Sequence, residues 1–241
     1  MNFMLLWIGG GIVALILVVL ATIFVCELVG KRRGNALAGA GELLGLSFAA
    51  REARWPEISQ AEIAMCRRGG SNKAIRNVLK GRIEEREALV FDFRYVLAAN
   101  CRIGVFSSPP DPRGVYDQTV VLLRLPGASL PRFELRTGDA LHGKTNRSQG
   151  WHRVATPEEL DLAPDYLCRG EREEEISSLL RAGLAATVLE RENLCVDAGG
   201  EWVAVYRHDV LVEPEGLRDL VADAAAVAGV LRYAASRLPS S

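Results

Sequence analysis

One stretch of the sequence has the residue types and the spacing of a nucleotide-binding loop. Residues 138–145 read GDALHGKT, which fits the phosphate-binding pattern G-x-x-x-x-G-K-[ST]. In such a loop, Gly138 and Gly143 allow backbone amides to cradle the phosphates, while Lys144 meets their negative charge and Thr145 holds magnesium. The motif makes a membrane-tethered nucleotide-binding enzyme the alternative function for this chain.

The residues that flank the motif fit this alternative poorly. A phosphate-binding loop follows a buried strand and opens a helix, whereas 133–136 reads as a short amphipathic strand and 146–150 (NRSQG) as a poor helix start. No apolar strand that ends in Asp supplies the second half of a magnesium site. The sequence therefore favours a chance match in a surface loop, and it predicts no cofactor, no metal site and no catalytic residue.

A second constellation is basic. Six Lys and Arg side chains occur between residues 63 and 83 with no acidic residue among them. They are Arg67, Arg68, Lys73, Arg76, Lys80 and Arg82. In a membrane-tethered domain such a patch could contact anionic lipid headgroups, at about 1 kcal/mol for each basic side chain. A solvated charged surface is the alternative, and nucleic acid is not an expected partner because no aromatic residues interleave with the charges.

The segment that would tether these groups is the apolar N-terminus. Residues 3–25 read FMLLWIGGGIVALILVVLATIFV, which exceeds the roughly 20 apolar residues that cross a bilayer. No basic residue precedes the run, unlike in a cleavable signal peptide. Lys31, Arg32 and Arg33 follow it, and such residues stay on the cytoplasmic side. The sequence predicts a single-pass anchor over 1–30 in the inner membrane, with the N-terminus outside and residues 31–241 in the cytoplasm.

Helix and strand patterns follow the anchor in the first half of the domain. Apolar residues at helical spacing in 35–44 predict a short helix after the anchor. Residues 77–79 and 88–97 predict the arms of a hairpin, and the second arm alternates apolar and polar like a half-buried strand. Residues 119–125 are apolar on both faces, which predicts a central strand, and 133–135 predict a short outer strand.

The second half begins with a long irregular stretch and then returns to regular patterns. Residues 138–164 are a candidate boundary between two subdomains. An amphipathic helix is predicted over 171–188, a hairpin over 194–206 and a closing helix over 214–231. Segregated strands and helices favour an α+β fold, with a mainly antiparallel sheet covered by helices.

Several short motifs occur in order along the chain. After the apolar anchor and its KRR stop come NVLKG (77–81), FDFRY (91–95), QTVVL (118–122), LPRF (130–133) and YLCRG (166–170). In this order they resemble a group of uncharacterised bacterial single-pass membrane proteins with an N-terminal anchor and an α+β domain. The resemblance covers most of the chain. It implies a fold and a topology, and it lends no activity, cofactor or catalytic residue.

Taken together, these features favour a membrane-tethered binding or scaffold module over an enzyme. The net charge of −1 gives the chain no global attraction to nucleic acid. The expected partners are the membrane, a protein of unknown identity and, through the basic patch, anionic lipid.

Overall fold

The structure is a computed structural model of the 241-residue chain. It describes residues 2–49, 63, 65, 71–96, 115–137, 151–154 and 166–237, and in the first helix the side chains are described from Leu15 onward, except at 23 and 26. The described helices are α1 (Asn2–Leu43), α2 (Glu173–Leu179), α3 (Ala185–Leu189) and α4 (Leu217–Ala235), with a π-helical turn at Leu180–Leu184 and a 3-10 turn at Pro214–Gly216. The described strands are β1 (Leu46–Ala49), β2 (Ser71–Ile83), β3 (Arg86–Val96), β4 (Val115–Arg124), β5 (Leu130–Thr137), β6 (His152–Arg153), β7 (Tyr166–Gly170), β8 (Leu194–Gly200) and β9 (Trp202–Arg207).

The described strands form one sheet in the order β1-β2-β3-β4-β9-β8-β5-β7-β6, and every neighbouring pair is antiparallel. The predicted α+β fold with an antiparallel sheet is therefore confirmed. Strands that precede and follow residues 138–164 belong to this same sheet. The prediction of an outer strand at 133–135 is wrong, because β5 lies between β7 and β8. Both of its partners come later in the chain, so the local pattern carried no sign of them.

Each face of the sheet carries its own apolar cluster. The larger cluster lies on the face that α1, α2, α3 and α4 cover, here called the helix face, and it includes Val90, Val121, Phe133 and Val205. The smaller cluster lies on the opposite face and includes Phe91, Phe93 and Tyr206, together with Ile63 and Met65. Because side chains alternate along a strand, consecutive residues such as Val90 and Phe91 serve different clusters. The interior strands β3, β4, β5, β8 and β9 are thus buried on both faces.

One continuous helix, α1, joins the N-terminus to the sheet. The short helix predicted at 35–44 is the last part of this helix. Ten large apolar side chains between Leu15 and Val29 are 41–64 % exposed. They include the consecutive residues 15–20, which point to all sides of the helix. Residues 3–14 of the predicted anchor lie outside the part of α1 whose side chains are described. In that described part of the chain, no helix has both the length and the apolar character needed to cross a membrane.

The helices of the C-terminal third cover the sheet as the sequence predicts, with one interruption. The closing helix is confirmed as α4, which buries Leu217, Leu220, Val227 and Leu231 against the helix face. The single helix predicted over 171–188 is broken instead by the π-helical turn, where Gly183 has a φ of 117°. The apolar spacing continues across the break, so periodicity alone could not reveal it.

Candidate functional site

A network of polar side chains centres on the Arg33 guanidinium and the Asp92 carboxylate, at the point where α1 meets the sheet. Arg33 Nε donates to Asp92 Oδ2 at 2.8 Å and Arg33 Nη2 donates to Asp92 Oδ1 at 3.0 Å, which is a bidentate ion pair. Nη2 also donates to Thr119 Oγ1 at 3.2 Å and to the Val212 carbonyl at 3.0 Å. One side chain of α1 thus ties together β3, β4 and the segment that leads into α4.

The Asp92 carboxylate is shared by further donors. Asn77 Nδ2 donates to Oδ2 at 2.8 Å and Thr119 Oγ1 donates to Oδ1 at 2.9 Å. Thr119 Oγ1 in turn accepts the Val212 backbone N–H at 3.0 Å. Asn77 reaches the carboxylate from a bulge in β2, where its φ is +51°. Buried carboxylates are stable only when their oxygens are fully hydrogen-bonded, and these contacts meet that requirement.

Small residues bring α1 close enough for these bonds to form. Gly34, Leu37 and Gly41 recur at i, i+3 and i+7, so they lie on one stripe of the helix, and all three are buried. A Cβ at Gly41 would lie 2.7 Å from Leu79 Cδ2, and a Cβ at Gly34 would lie 3.1 Å from Asn77 Oδ1. The two glycines therefore set the close approach of α1 to β2.

The electrostatics of this junction hold Arg33 in its charged form. The hydrogen bond to Asp92 raises the pKa of Arg33 above its ordinary value, and this effect exceeds the opposing effect of burial. The charges of Asp92, Glu213 and Asp117 act in the same direction. Arg33 and Asp92 are hydrogen-bonded to each other, so this junction joins α1 to β3.

A second ion pair lies two residues farther along β3 and β4. Arg94 donates to Asp117 through Nε and Nη2 at 2.7 and 2.6 Å, and this hydrogen bonding raises the pKa of Arg94. Asp209 Oδ1 accepts the backbone N–H of Asp117 at 3.0 Å. A surface cavity of about 510 Å³ is lined here by Arg94, Val115, Asp117, Asp209 and Leu211. It is open and polar, with a formal charge of −1 from its three ionisable residues.

A buried charged cluster lies on the opposite face of the sheet. Arg136 Nη2 is 2.6 Å from Glu134 Oε2 and 3.7 Å from Asp197 Oδ2. Tyr206 donates its hydroxyl hydrogen to Asp197 Oδ1 at 3.1 Å. Glu134, Arg136 and Asp197 are 4 %, 6 % and 0 % exposed. These contacts join β5, β8 and β9, and solvent barely reaches the three charged groups.

Four of the six side chains of the predicted basic patch lie among the described residues. Arg67 and Arg68 lie outside the described residues. The other four side chains, Lys73, Arg76, Lys80 and Arg82, are distributed along β2. At about 3.3 Å per residue, Lys73 and Arg82 are about 30 Å apart along the strand. Arg82 also pairs with Glu85 at 3.5 Å in the turn that follows.

The phosphate-loop-like residues Gly138, Gly143, Lys144 and Thr145 all lie outside the described residues. The strand that precedes them is described, however: β5 ends at Thr137 and is antiparallel to both of its neighbours. The strand before a phosphate-binding loop normally belongs to a parallel sheet. The strand context of this motif therefore differs from that of nucleotide-binding proteins.

Sequence reasoning identified neither Asp92 nor the role of Arg33. The alternation in β3 placed Asp92 on a polar strand face, whereas α1 covers that face and leaves Asp92 only 7 % exposed. Arg33 was interpreted only as a topology signal. Gly34 and Gly41, seven residues apart on one face of α1, are a sequence signal of close packing, but they do not show which strand the helix meets.

Comparison with known proteins yields a fold likeness. No family model and no curated protein matches this chain. Among solved structures, the chain is similar to the mycobacterial trehalose monomycolate transport factor A, TtfA, with a TM-score of 0.56 and 12 % sequence identity. The likeness covers 86 % of this chain and 98 % of TtfA. At this identity it shows a shared fold and nothing about shared chemistry.

Proposed function

We propose that this chain is a single-pass protein of the bacterial inner membrane whose cytoplasmic α+β domain is a non-enzymatic binding module, serving as an accessory factor to another membrane protein. The observation that carries the proposal is α1, one helix that begins in an apolar N-terminus and ends docked on the sheet. The N-terminus lies outside in this arrangement, since Lys31 and Arg32 follow the apolar run.

The exposure of α1 supports the membrane anchor. Residues 3–25 carry no charge, and the large apolar side chains described between Leu15 and Val25 are 49–64 % exposed. A soluble helix buries its apolar side chains on one stripe and turns a polar face to water. Apolar side chains on every side of a long helix are typical of a helix surrounded by lipid.

Two buried polar clusters among the described residues support a binding module over an enzyme. The Arg33–Asp92 junction and the Arg136 cluster both join secondary-structure elements and have little solvent access. Neither leaves a reactive group beside a cavity, which a general acid, general base or nucleophile requires.

The likeness in fold to TtfA supports a proposal for the class of partner. TtfA is a mycobacterial trehalose monomycolate transport factor. By analogy of fold alone, we propose that the partner of this chain belongs to machinery that moves a lipid or lipid-linked molecule at the membrane.

Crosslinking in intact membranes tests the proposal. The full-length chain and a bare anchor of residues 1–30 are expressed at equal levels, crosslinked and purified, and the captured proteins are identified by mass spectrometry. We expect a membrane protein that the full-length chain captures reproducibly and the bare anchor does not.

Capture of the same proteins by both chains would contradict a binding role for the domain. A rise in melting temperature of the full-length chain with magnesium-ATP, absent in a Lys144→Ala variant, would instead support the nucleotide-binding alternative.

A further inference from the structure

The face of the sheet opposite the helices carries a groove near the turn that joins β2 to β3. The groove has a volume of about 410 Å³, and the residues that line it belong to β2, β3, β4 and β9. Lys80 of β2 and Trp202 of β9 line its two sides, since β3 and β4 lie between these strands. At about 4.8 Å between neighbouring strands, the groove spans about 14 Å of sheet. Its whole lining lies within the described part of the chain.

Trp202 presents an aromatic ring to this groove. Its side chain is half-buried and packs against the smaller apolar cluster, to which Leu89 of the groove also belongs. Arg124 Cζ is 5.8 Å from the ring centroid, close to the limit of about 6 Å for a cation–π contact, so the guanidinium flanks the indole without covering it closely. Glu201 Oε2 accepts a hydrogen bond from Arg124 Nε at 2.9 Å. The ring and the cation beside it are therefore held in place before a ligand arrives.

The polar groups of the groove have complementary hydrogen-bonding capacities. Lys80 and Arg124 can only donate hydrogen bonds, and the Glu87 carboxylate can only accept them. The Glu87 side chain is 57 % exposed, and its Oε2 is 3.4 Å from Arg124 Nη1, which is long for a hydrogen bond. A hydroxyl group both donates and accepts, so a ligand with several hydroxyls would pair with groups of both kinds.

The charge of the groove argues against an anionic ligand. Lys80 and Arg124 are positive, whereas Glu87 and the Glu201 that pairs with Arg124 are negative, so the four groups sum to zero. Such a groove has no net attraction for a phosphate or a carboxylate. A neutral ligand that combines an apolar ring face with hydroxyl groups matches both the indole and the polar groups.

We propose that this groove binds the ring of a neutral saccharide, either free or as part of a larger molecule. The polarised C–H groups of the sugar ring pack on the negative face of the Trp202 indole. Its hydroxyls donate to Glu87 and accept from Arg124. The volume of the groove lies in the range of about 300–1,000 Å³ that is typical of small-ligand sites. This site goes beyond the proposed binding of a membrane protein and does not depend on the proposed anchor.

An array of immobilised neutral and acidic glycans tests the proposal. The full-length chain is kept in solution by a phosphocholine detergent, because detergents with sugar headgroups would compete. The neutral glycan that binds most strongly is then titrated by calorimetry. Trp202→Ala should weaken its binding at least about tenfold. Tyr233→Ala is the matched control and should bind as the wild type does, because Tyr233 is a 53 % exposed aromatic residue on α4 with Arg237 Cζ 4.2 Å from its ring.

A second variant tests the polar contacts and preserves the shape of the groove. In Glu87→Gln the ligand hydroxyls lose a charged acceptor, so binding should weaken about fivefold. Glu87 is exposed at the surface, and its replacement should leave the thermal unfolding of the chain unchanged. If Trp202→Ala lowers the melting temperature strongly, Glu87→Gln alone decides the question.

Three results would overturn the proposal. The first is an array on which no neutral glycan is bound, or on which binding is confined to sulfated or phosphorylated glycans. The second is equal binding by the Trp202→Ala and Tyr233→Ala variants when both are folded. The third is unchanged binding by Glu87→Gln.

Discussion

Arg33 of α1 and Asp92 of β3 are 59 residues apart in the chain and are joined by two hydrogen bonds of 2.8 and 3.0 Å. Arg33 belongs to the helix that continues into the apolar N-terminus, and Asp92 belongs to β3, an interior strand between β2 and β4. On the N-terminal side of Arg33, α1 continues as one helix, and on the C-terminal side it packs on the sheet. The direction of the helix therefore determines the orientation of the domain. The pair is thus the mechanical link between the proposed anchor and the proposed binding module.

Replacement of Asp92 should destabilise the domain strongly. In Asp92→Ala the Arg33 guanidinium loses its carboxylate while it stays partly buried, which costs about 3 kcal/mol. Urea unfolding of the full-length chain in detergent micelles, followed by near-ultraviolet circular dichroism, measures the loss. Glu213→Ala is the control, because Glu213 is 3.9 Å from Arg33 and its side chain is 80 % exposed, so its removal should cost less than about 0.5 kcal/mol. Equal effects of the two changes would contradict this account of the junction.

The two glycines on opposite sides of the end of α1 should respond differently to the same substitution. In Gly41→Leu the new side chain collides with Leu79 beneath the helix, and overpacking of this kind costs about 2 kcal/mol. A Cβ at Gly39 would meet nothing within 4 Å, so Gly39→Leu should instead stabilise the helix by about 0.5 kcal/mol through its higher helix propensity. Thermal unfolding of both variants checks the pair, and a loss of stability in Gly39→Leu would place the docking face of α1 elsewhere.

Local periodicity was enough to predict much of the sheet. The hairpins β2–β3 and β8–β9 and the central strand β4 follow from alternating or continuous apolar runs bounded by turn residues. The closing helix α4 follows from its apolar stripe in the same way. These elements were predictable because each one carries its own signal within ten to twenty residues.

The candidate site was not predictable, because it depends on contacts between distant segments. The alternation within β3 turns Asp92 toward solvent, and only the arrival of α1 buries it. Likewise, the central place of β5 depends on β7 and β8, which come from the C-terminal third. No residue near either element in the sequence reports these partners.

The buried thiol of Cys168 should make stability fall at alkaline pH. Burial, with a smaller effect from the charge of Glu134, raises the pKa of Cys168 well above its ordinary value. In the unfolded chain the thiol ionises at about pH 8.5. The contribution to stability is therefore fully present below that pH and is lost as the pH rises toward the higher pKa of the folded state.

Urea unfolding between about pH 8 and pH 10 measures this effect. Above about pH 8.5 the wild-type chain should lose about 1.4 kcal/mol per pH unit more than Cys168→Ala does. A Cys168→Ala chain with the same slope as the wild type would show that the thiol is ionised, or accessible, in the folded domain.

The break between α2 and α3 should require glycine. Gly183 has a φ of 117°, a conformation that residues with a Cβ rarely adopt, so Gly183→Ala should cost about 2 kcal/mol even though the nearest atom, Val230 Cγ1, is 3.7 Å away. Gly229→Ala in α4 is the matched control. Its new Cβ meets nothing within 4 Å, and it should stabilise the chain by about 0.5–1 kcal/mol. Thermal unfolding distinguishes the two, and a neutral Gly183→Ala would mean that α2 and α3 can form one regular helix.

Extraction of membranes with alkaline carbonate tests most directly the claim that α1 holds this domain at a bilayer. The wild-type chain should stay in the membrane pellet, and so should Leu28→Arg, which lies beyond the apolar run of residues 3–25. The double variant Leu17→Arg, Leu20→Arg should be released, because each charge within the span costs about 3 kcal/mol of insertion free energy. Release of the wild-type chain would contradict the account, because the domain would then have no anchor through which the Arg33–Asp92 pair could orient it.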